Sequence, residues 1–98
     1  MAAYVIVDVA TSDPQKYEDY KKMAQETVAQ FGGRYIARGG RMQILEGEWK
    51  PTRIVILEFA SFEKAQEWWE SAAYAPAKAL RQSLSRTDMV LVDGYNLP

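Results

Sequence analysis

Four short runs rich in β-branched and aromatic residues alternate with segments of helical periodicity along this chain of 98 residues. The strand-like runs are residues 4–9, 34–45, 53–59 and 88–94. Apolar residues three and four positions apart separate the first run from the second and the third from the fourth. This βαβ-βαβ order predicts an α+β fold of ferredoxin-like topology, a βαββαβ sandwich whose four-stranded antiparallel sheet carries the helices on one face. We expect one domain over residues 1–98.

Two diglycines enclose the start of the second strand-like run. Gly32-Gly33 follows the first helical segment and predicts its end, while Gly39-Gly40 predicts a bulge that bends one long strand over residues 34–45. Residues 46–52 then read as a hairpin turn. Neither diglycine belongs to a GxGxxG or Walker pattern, so phosphate binding by a glycine-rich loop is not expected.

The charge balance argues against partners that are recognised by their overall charge. Twelve basic and thirteen acidic residues leave a formal net charge of -1, which predicts no nucleic-acid and no membrane partner. The apolar runs are much shorter than the roughly 20 residues that a membrane-spanning helix needs, and the N-terminus lacks the pattern of a signal peptide. We therefore expect a cytoplasmic protein.

The chain contains no cysteine and no histidine. Thiol nucleophiles, imidazole bases and the usual zinc sites are therefore excluded, and any proton transfer would have to use Asp, Glu, Tyr or Lys. No loop clusters the carboxylates that an all-oxygen metal site requires. We expect neither a metal nor an organic cofactor.

One face of the predicted sheet has no helix to cover it. Strand alternation places a set of large apolar residues on this face, namely Ile6, Ile36, Ile54, Ile56 and Leu91. Such a patch exceeds what a monomer usually exposes, and a second copy is the simplest partner that could bury it. The sequence thus predicts a homodimer that packs sheet against sheet.

Four charged residues are expected on the same face. Asp8 and Glu58 would lie near the carboxyl ends of neighbouring parallel strands, with Arg34 and Arg38 beside them on the second strand. An arginine there could bind an acidic ligand through two hydrogen bonds, and Asp8 or Glu58 could act as an acid or base. A structural alternative stays open, in which Arg38 and Glu58 form an ordinary cross-strand salt bridge at the rim of an interface.

Two aromatic residues on the helical segments have the same ambiguity. Tyr17 and Trp68 fit the apolar spacing of their helices and are expected in the core, but either could also line a ligand cavity. Trp68 and Trp69 are adjacent, so they point about 100° apart on a helix and cannot both face inward.

The residues together resemble the small bacterial family catalogued as domain of unknown function 1330. The resemblance spans nearly the whole chain and is carried by Gly32-Gly33-Arg34, Arg38-Gly39-Gly40, Glu46-Gly47, Glu58-Phe59, Trp68, Tyr74, Arg81 and Val92-Asp93-Gly94. It implies a dimeric α+β barrel, the superfamily that also includes cofactor-independent antibiotic-biosynthesis monooxygenases and muconolactone isomerases. It carries over a fold and a dimer, but no catalytic residues.

Three functional hypotheses follow. The leading one is that the protein binds or transforms a small anionic or carbonyl-bearing metabolite, without a cofactor, in a cavity near the sheet-lined dimer interface. The second is a non-catalytic dimerisation or interaction domain whose cavity is filled. The third, a cofactor-independent monooxygenase, rests on superfamily analogy alone.

Overall fold

A computed structural model of the protein describes residues 1–95. Three helices and four strands follow one another in the predicted alternation. In chain order they are β1 (Ala3–Thr11), α1 (Pro14–Gln30), β2 (Arg34–Arg38), β3 (Ile54–Phe59), α2 (Phe62–Glu70), α3 (Ala75–Leu84) and β4 (Ser85–Asp93).

The four strands form one sheet in the order β2-β3-β1-β4, with every neighbouring pair antiparallel. The predicted ferredoxin-like α+β fold is therefore confirmed, with the first and third strands in the centre. The register pairs Val5 with both Leu57 and Leu91, and it pairs Ile6 with both Ile56 and Val90. Since directly paired residues share a face, these two rows define the helix-covered face and the open face.

Local sequence explains where the helices begin and end. The side chain of Asp13 accepts a hydrogen bond from the Lys16 amide at the start of α1, and Ser61 accepts one from the Lys64 amide at the start of α2. Gly32 follows α1 with a φ of 75°, a conformation that favours glycine. No helix within residues 1–95 is long and apolar enough to cross a membrane.

The core lies between the helices and the covered face of the sheet. Its largest fully buried side chains are Trp68, Tyr74, Phe59 and Val28. The indole nitrogen of Trp68 donates a 3.0 Å hydrogen bond to the Thr27 hydroxyl, so its polar atom is satisfied inside the core. Trp69 is only half-buried, which agrees with the expectation that adjacent tryptophans face different ways.

The prediction of one long second strand is wrong. β2 ends at Arg38, and residues 39–53 form no strand. The bulge lies earlier than predicted, between Tyr35 and Ala37, where Tyr35 pairs with Leu57 and Ala37 with Ile56. Two steps along β2 therefore match one step along β3, and the alternation of side chains shifts by one residue after the bulge.

The predicted faces of β4 are also exchanged. Leu91 was expected at the dimer interface, but it packs with Met89 against the core. Val90 and Val92 take the open face instead and are 58% and 45% exposed. Both faces of β4 carry apolar residues, so alternation alone could not show which of them faces the core. The pairing of Val5 with Leu91 places Leu91 on the core side.

Candidate functional site

The predicted cluster of charges on the open face does not form. Neighbouring strands are antiparallel rather than parallel, so Asp8 pairs with Ile54 whereas Glu58 pairs with Tyr4. The two carboxylates therefore lie four pairs apart along β1, toward opposite ends of the sheet. A site that combines Asp8 with Glu58 is excluded by this register.

Glu58 belongs to a salt bridge at the surface. The Nε atom of Arg34 lies 2.7 Å from Oε1 of Glu58, across the β2-β3 pair. The Arg34 side chain is 72% exposed. Exposed pairs of this kind contribute about 0–1 kcal/mol. The structural alternative is thus realised, but with Arg34 in place of Arg38.

Asp8 fixes the loop that precedes β3. Its carboxylate accepts hydrogen bonds from the Thr52 amide at 2.9 Å, the Trp49 indole at 3.1 Å and the Arg53 amide at 3.3 Å. Desolvation raises the pKa of Asp8, but these hydrogen bonds stabilise the charged form and hold the pKa below its ordinary value. The carboxylate therefore stays ionised near neutral pH and anchors residues 49–53.

Arg38 lies on the helix-covered side, because the bulge reverses the alternation after Tyr35. It pairs with Val55, a core residue. Its guanidinium lies 4.1 Å from the centre of the Tyr35 ring, and Nη1 donates a 2.9 Å hydrogen bond to Gln25 of α1. The prediction that Arg34 and Arg38 share a face is wrong.

Arg38 lines a small cavity between the sheet and the helices, with a volume of about 30 Å³. Four basic residues contribute to its wall, namely Lys21, Arg38, Arg53 and Arg81. Val7 and Leu57 also contribute from the covered face of the sheet. The space suits a group the size of one or two water molecules.

Arg53 lies against Gly39, the residue that directly follows β2. Gly39 has a φ of 66°, and a Cβ added there would lie 2.6 Å from Nε of Arg53. A side chain at position 39 would displace the Arg53 guanidinium, and the positive φ itself favours glycine. The second diglycine, which was interpreted as a strand bulge, thus positions a cationic side chain.

Arg81 of α3 is the buried charge of this cavity, at 4% exposure. Its Nε donates to the Tyr74 hydroxyl at 3.4 Å, and its guanidinium lies 5.8 Å from the centre of the Trp69 ring. Sequence reasoning did not select it as a site residue. The signal was present, because Ala77 and Arg81 are four positions apart on the buried face of α3, and the buried Tyr74 precedes that helix three positions before Ala77.

Tyrosine hydroxyls add neutral hydrogen-bonding groups to the cavity. Tyr17, Tyr20 and Tyr35 line it, and the Tyr20 hydroxyl lies 2.8 Å from that of Tyr74. Burial raises the pKa of all three lining tyrosines, and in Tyr17 it outweighs the opposing charges of Arg53, Arg81 and Arg38. These phenols therefore keep their protons at neutral pH and are available as donors.

No carboxylate lines the cavity within the described part of the chain. Lys21 is paired with Glu18 of its own helix, at 3.1 Å. By contrast, Arg38, Arg53 and Arg81 form no ion pair with any residue in 1–95. Over the same residues no three His, Cys, Asp or Glu side chains cluster where a metal ion could bind.

A larger hollow lies beside the cavity, between α2 and strands β1 and β4. It measures about 370 Å³ and is open to solvent. Its wall is mainly apolar, with contributions from Phe62, Trp68, Trp69, Met89 and Leu91. We call it the apolar cleft and the smaller hollow the cationic cavity.

Comparison with protein families identifies the chain. Residues 2–95 match the family described as Domain of unknown function (DUF1330). The chain belongs to the DUF1330 family. The resemblance seen in the sequence is thereby confirmed, and the family description states no function. Among curated proteins, none matches this chain significantly.

Solved structures share the DUF1330 fold. A protein of unknown function from Rhodopseudomonas palustris aligns with a TM-score of 0.76 and 16% identity, over 98% of this chain and 84% of that one. A dimeric ferredoxin-like protein of unknown function from Jannaschia sp. aligns with a TM-score of 0.64 and 10% identity, over 96% and 100%. The cofactor-independent oxygenase SnoaB from Streptomyces nogalater aligns with a TM-score of 0.56 and 14% identity, over 98% of this chain and 94% of that one. At these identities the likeness concerns the fold alone.

Proposed function

We propose that this DUF1330 protein binds a small anionic or carbonyl-bearing metabolite without a cofactor, with the anionic or carbonyl group of the ligand in the cationic cavity. This proposed site lies between the sheet and the helices, whereas the sequence predicted a site near the sheet-lined dimer interface. Arg38 and Arg81 would anchor the anionic group, Arg53 would add positive charge, and Tyr17 would line the site as a neutral donor.

The observation that carries this proposal is the buried guanidinium of Arg81. Removing a charge from water costs several kcal/mol unless a partner compensates, and no described carboxylate does so here. Arg38 and Arg53 face the same small space and add to the positive potential. A bound anion would offset part of this positive charge, which makes an anionic ligand the simplest occupant.

The wall of the cavity favours binding and polarisation over proton abstraction. Guanidinium and phenol groups donate hydrogen bonds, and they would stabilise a carboxylate or the negative charge that develops on a carbonyl oxygen. A general base would need an ionised group near neutral pH, and the lining tyrosines have raised pKa values. Any reaction here would therefore be assisted electrostatically.

Two arginines of β2 provide an internal test. We expect Arg38→Gln to weaken the binding of butanoate about tenfold or more, because a charge-assisted hydrogen bond contributes about 1.5–3 kcal/mol. Arg34→Gln removes the same charge four residues earlier, on the open face, and should leave the affinity unchanged. Isothermal titration calorimetry of both variants measures the difference.

Equal losses in the two variants would indicate only a long-range charge effect, and the proposed position of the ligand would be wrong. If only Arg34→Gln lost affinity for butanoate, the ligand would bind on the open face instead.

We further propose that the protein assembles as a homodimer through the open face of its sheet. Large apolar residues occupy this face, now with Val90 and Val92 in place of Leu91, namely Ile6, Ile36, Ile54, Ile56, Val90 and Val92. Exposure reaches 45% at Ile36 and 58% at Val90. Burial by a second copy would remove this area from water. The fold neighbour from Jannaschia sp. is described as dimeric, which supports a dimer.

The two other hypotheses have less support. Oxygenase activity is suggested by fold neighbours such as SnoaB, but the described residues that line the cationic cavity include no carboxylate or imidazole to generate a substrate carbanion. A purely structural dimerisation domain would use Arg81 only to support Tyr74 and Trp69, and its buried charge would have no carboxylate partner among residues 1–95. Neither hypothesis is favoured by a feature of the cavity.

A further inference from the structure

The two hollows share walls, and this bears on the class of ligand. Trp68 and Met89 line both the cationic cavity and the apolar cleft. Met89 is a partly buried residue of β4 at this boundary, and its unbranched side chain has three rotatable bonds. A ligand that extends from one space into the other would have to displace this flexible side chain.

The two hollows differ in size and in polarity, and each suits a different part of one ligand. The cationic cavity, at about 30 Å³, has room for a head group but not for a whole metabolite. The apolar cleft, at about 370 Å³, falls within the range of small-molecule sites. A polar head and an apolar body would each find a matching environment.

We infer that the ligand is an amphipathic monocarboxylate, with its carboxylate at Arg81 and Arg38 and its alkyl or aryl body in the apolar cleft. This inference rests on the proposed anion site and adds the substrate class. Phe62, Trp69 and Leu91 would contact the apolar body. The head group would displace water from the arginines of the smaller cavity.

An acidic residue limits the choice to one carboxylate. Glu70 lines the apolar cleft and is its one carboxylate among the described residues. A second carboxylate at the far end of the ligand would enter this cleft next to Glu70 and be repelled. Three ligands of equal length, octanoate, octanedioate and octanol, therefore separate the contributions of head, body and far end.

Calorimetric titration of the wild type with acetate, butanoate, hexanoate and octanoate tests the inference. Burial of each methylene should raise the affinity about fourfold until the cleft is filled. Octanoate should bind more tightly than octanol and octanedioate. Leu91→Trp should remove the dependence on chain length while retaining acetate binding, whereas Gln15→Trp, on the exposed side of α1, should have no effect.

The outcomes are distinguishable. If the four acids bind with an affinity that does not depend on the length of their alkyl chains, the inferred amphipathic ligand class is wrong, but the proposed anion site is still supported. If octanol binds as well as octanoate, or if no acid binds, the anion site fails and this inference fails with it. Should Leu91→Trp not fold, Leu91→Ala replaces it, because a widened cleft should shift the length of best affinity upward. No shift in Leu91→Ala would overturn the role of the cleft.

Discussion

Replacing Arg81 by methionine is expected to reduce the affinity for butanoate by about 10- to 100-fold while leaving the protein as stable as the wild type or more so. Methionine has a similar length and no charge, so it keeps the packing of α3 and removes the buried guanidinium. A charge-assisted hydrogen bond contributes about 1.5–3 kcal/mol, which sets the loss of affinity. Stability should not fall, because a buried charge without a counter-ion is costly to the fold.

The measurement combines calorimetric titration with thermal unfolding. Arg41→Met, in the exposed loop before β3, serves as the matched control and should change neither quantity. The opposite pattern would be decisive against the account. If Arg81→Met lowered the unfolding free energy by several kcal/mol and left butanoate binding intact, Arg81 would be a structural residue that supports Tyr74 and Trp69.

Ile56→Lys is expected to convert the proposed homodimer into a folded monomer. Ile56 lies at the centre of the open face, where it pairs with Ile6 of β1 and with Ala37 of β2. It is only partly buried within one chain, so lysine could extend its charge to water in the monomer. In a sheet-on-sheet interface the same charge would be buried without a partner, at a cost of several kcal/mol.

Sedimentation velocity over a range of concentrations measures the effect. Ala29→Lys, on the exposed side of α1, adds the same charge outside the interface and should remain dimeric. If Ile56→Lys unfolds, Val90→Lys gives the answer, since Val90 is 58% exposed in the single chain and tolerates a polar group. A wild type that sediments as a monomer, or a dimer unchanged in both lysine variants, would overturn the open face as the interface.

The order of elements and the fold class could be predicted because they depend on local periodicity. The β-branched runs, the caps at Asp13 and Ser61 and the glycine after α1 are each encoded within a few residues. The pairing of strands in an antiparallel βαββαβ sheet is less local. Treating β1 and β3 as parallel placed Asp8 beside Glu58, whereas the actual register separates them.

The candidate site was harder to predict because it depends on which side of a strand each residue faces. One extra residue in the bulge between Tyr35 and Ala37 moves Arg38 from the open face to the cationic cavity. The sequence of residues 34–38 does not predict a bulge there, because the nearest glycines lie outside the strand. Arg81 could have been found from its spacing with Tyr74 and Ala77, but a charge on a buried helix face contradicts the usual pattern.

A crystal structure of the protein grown with butanoate tests the central claim most directly. The account predicts that the carboxylate lies in the cationic cavity, within hydrogen-bonding distance of the Arg81 and Arg38 guanidinium groups. Its alkyl chain should point toward Met89. A carboxylate bound beside Arg34 on the open face, or a cationic cavity without ligand at a saturating concentration of butanoate, would contradict the account.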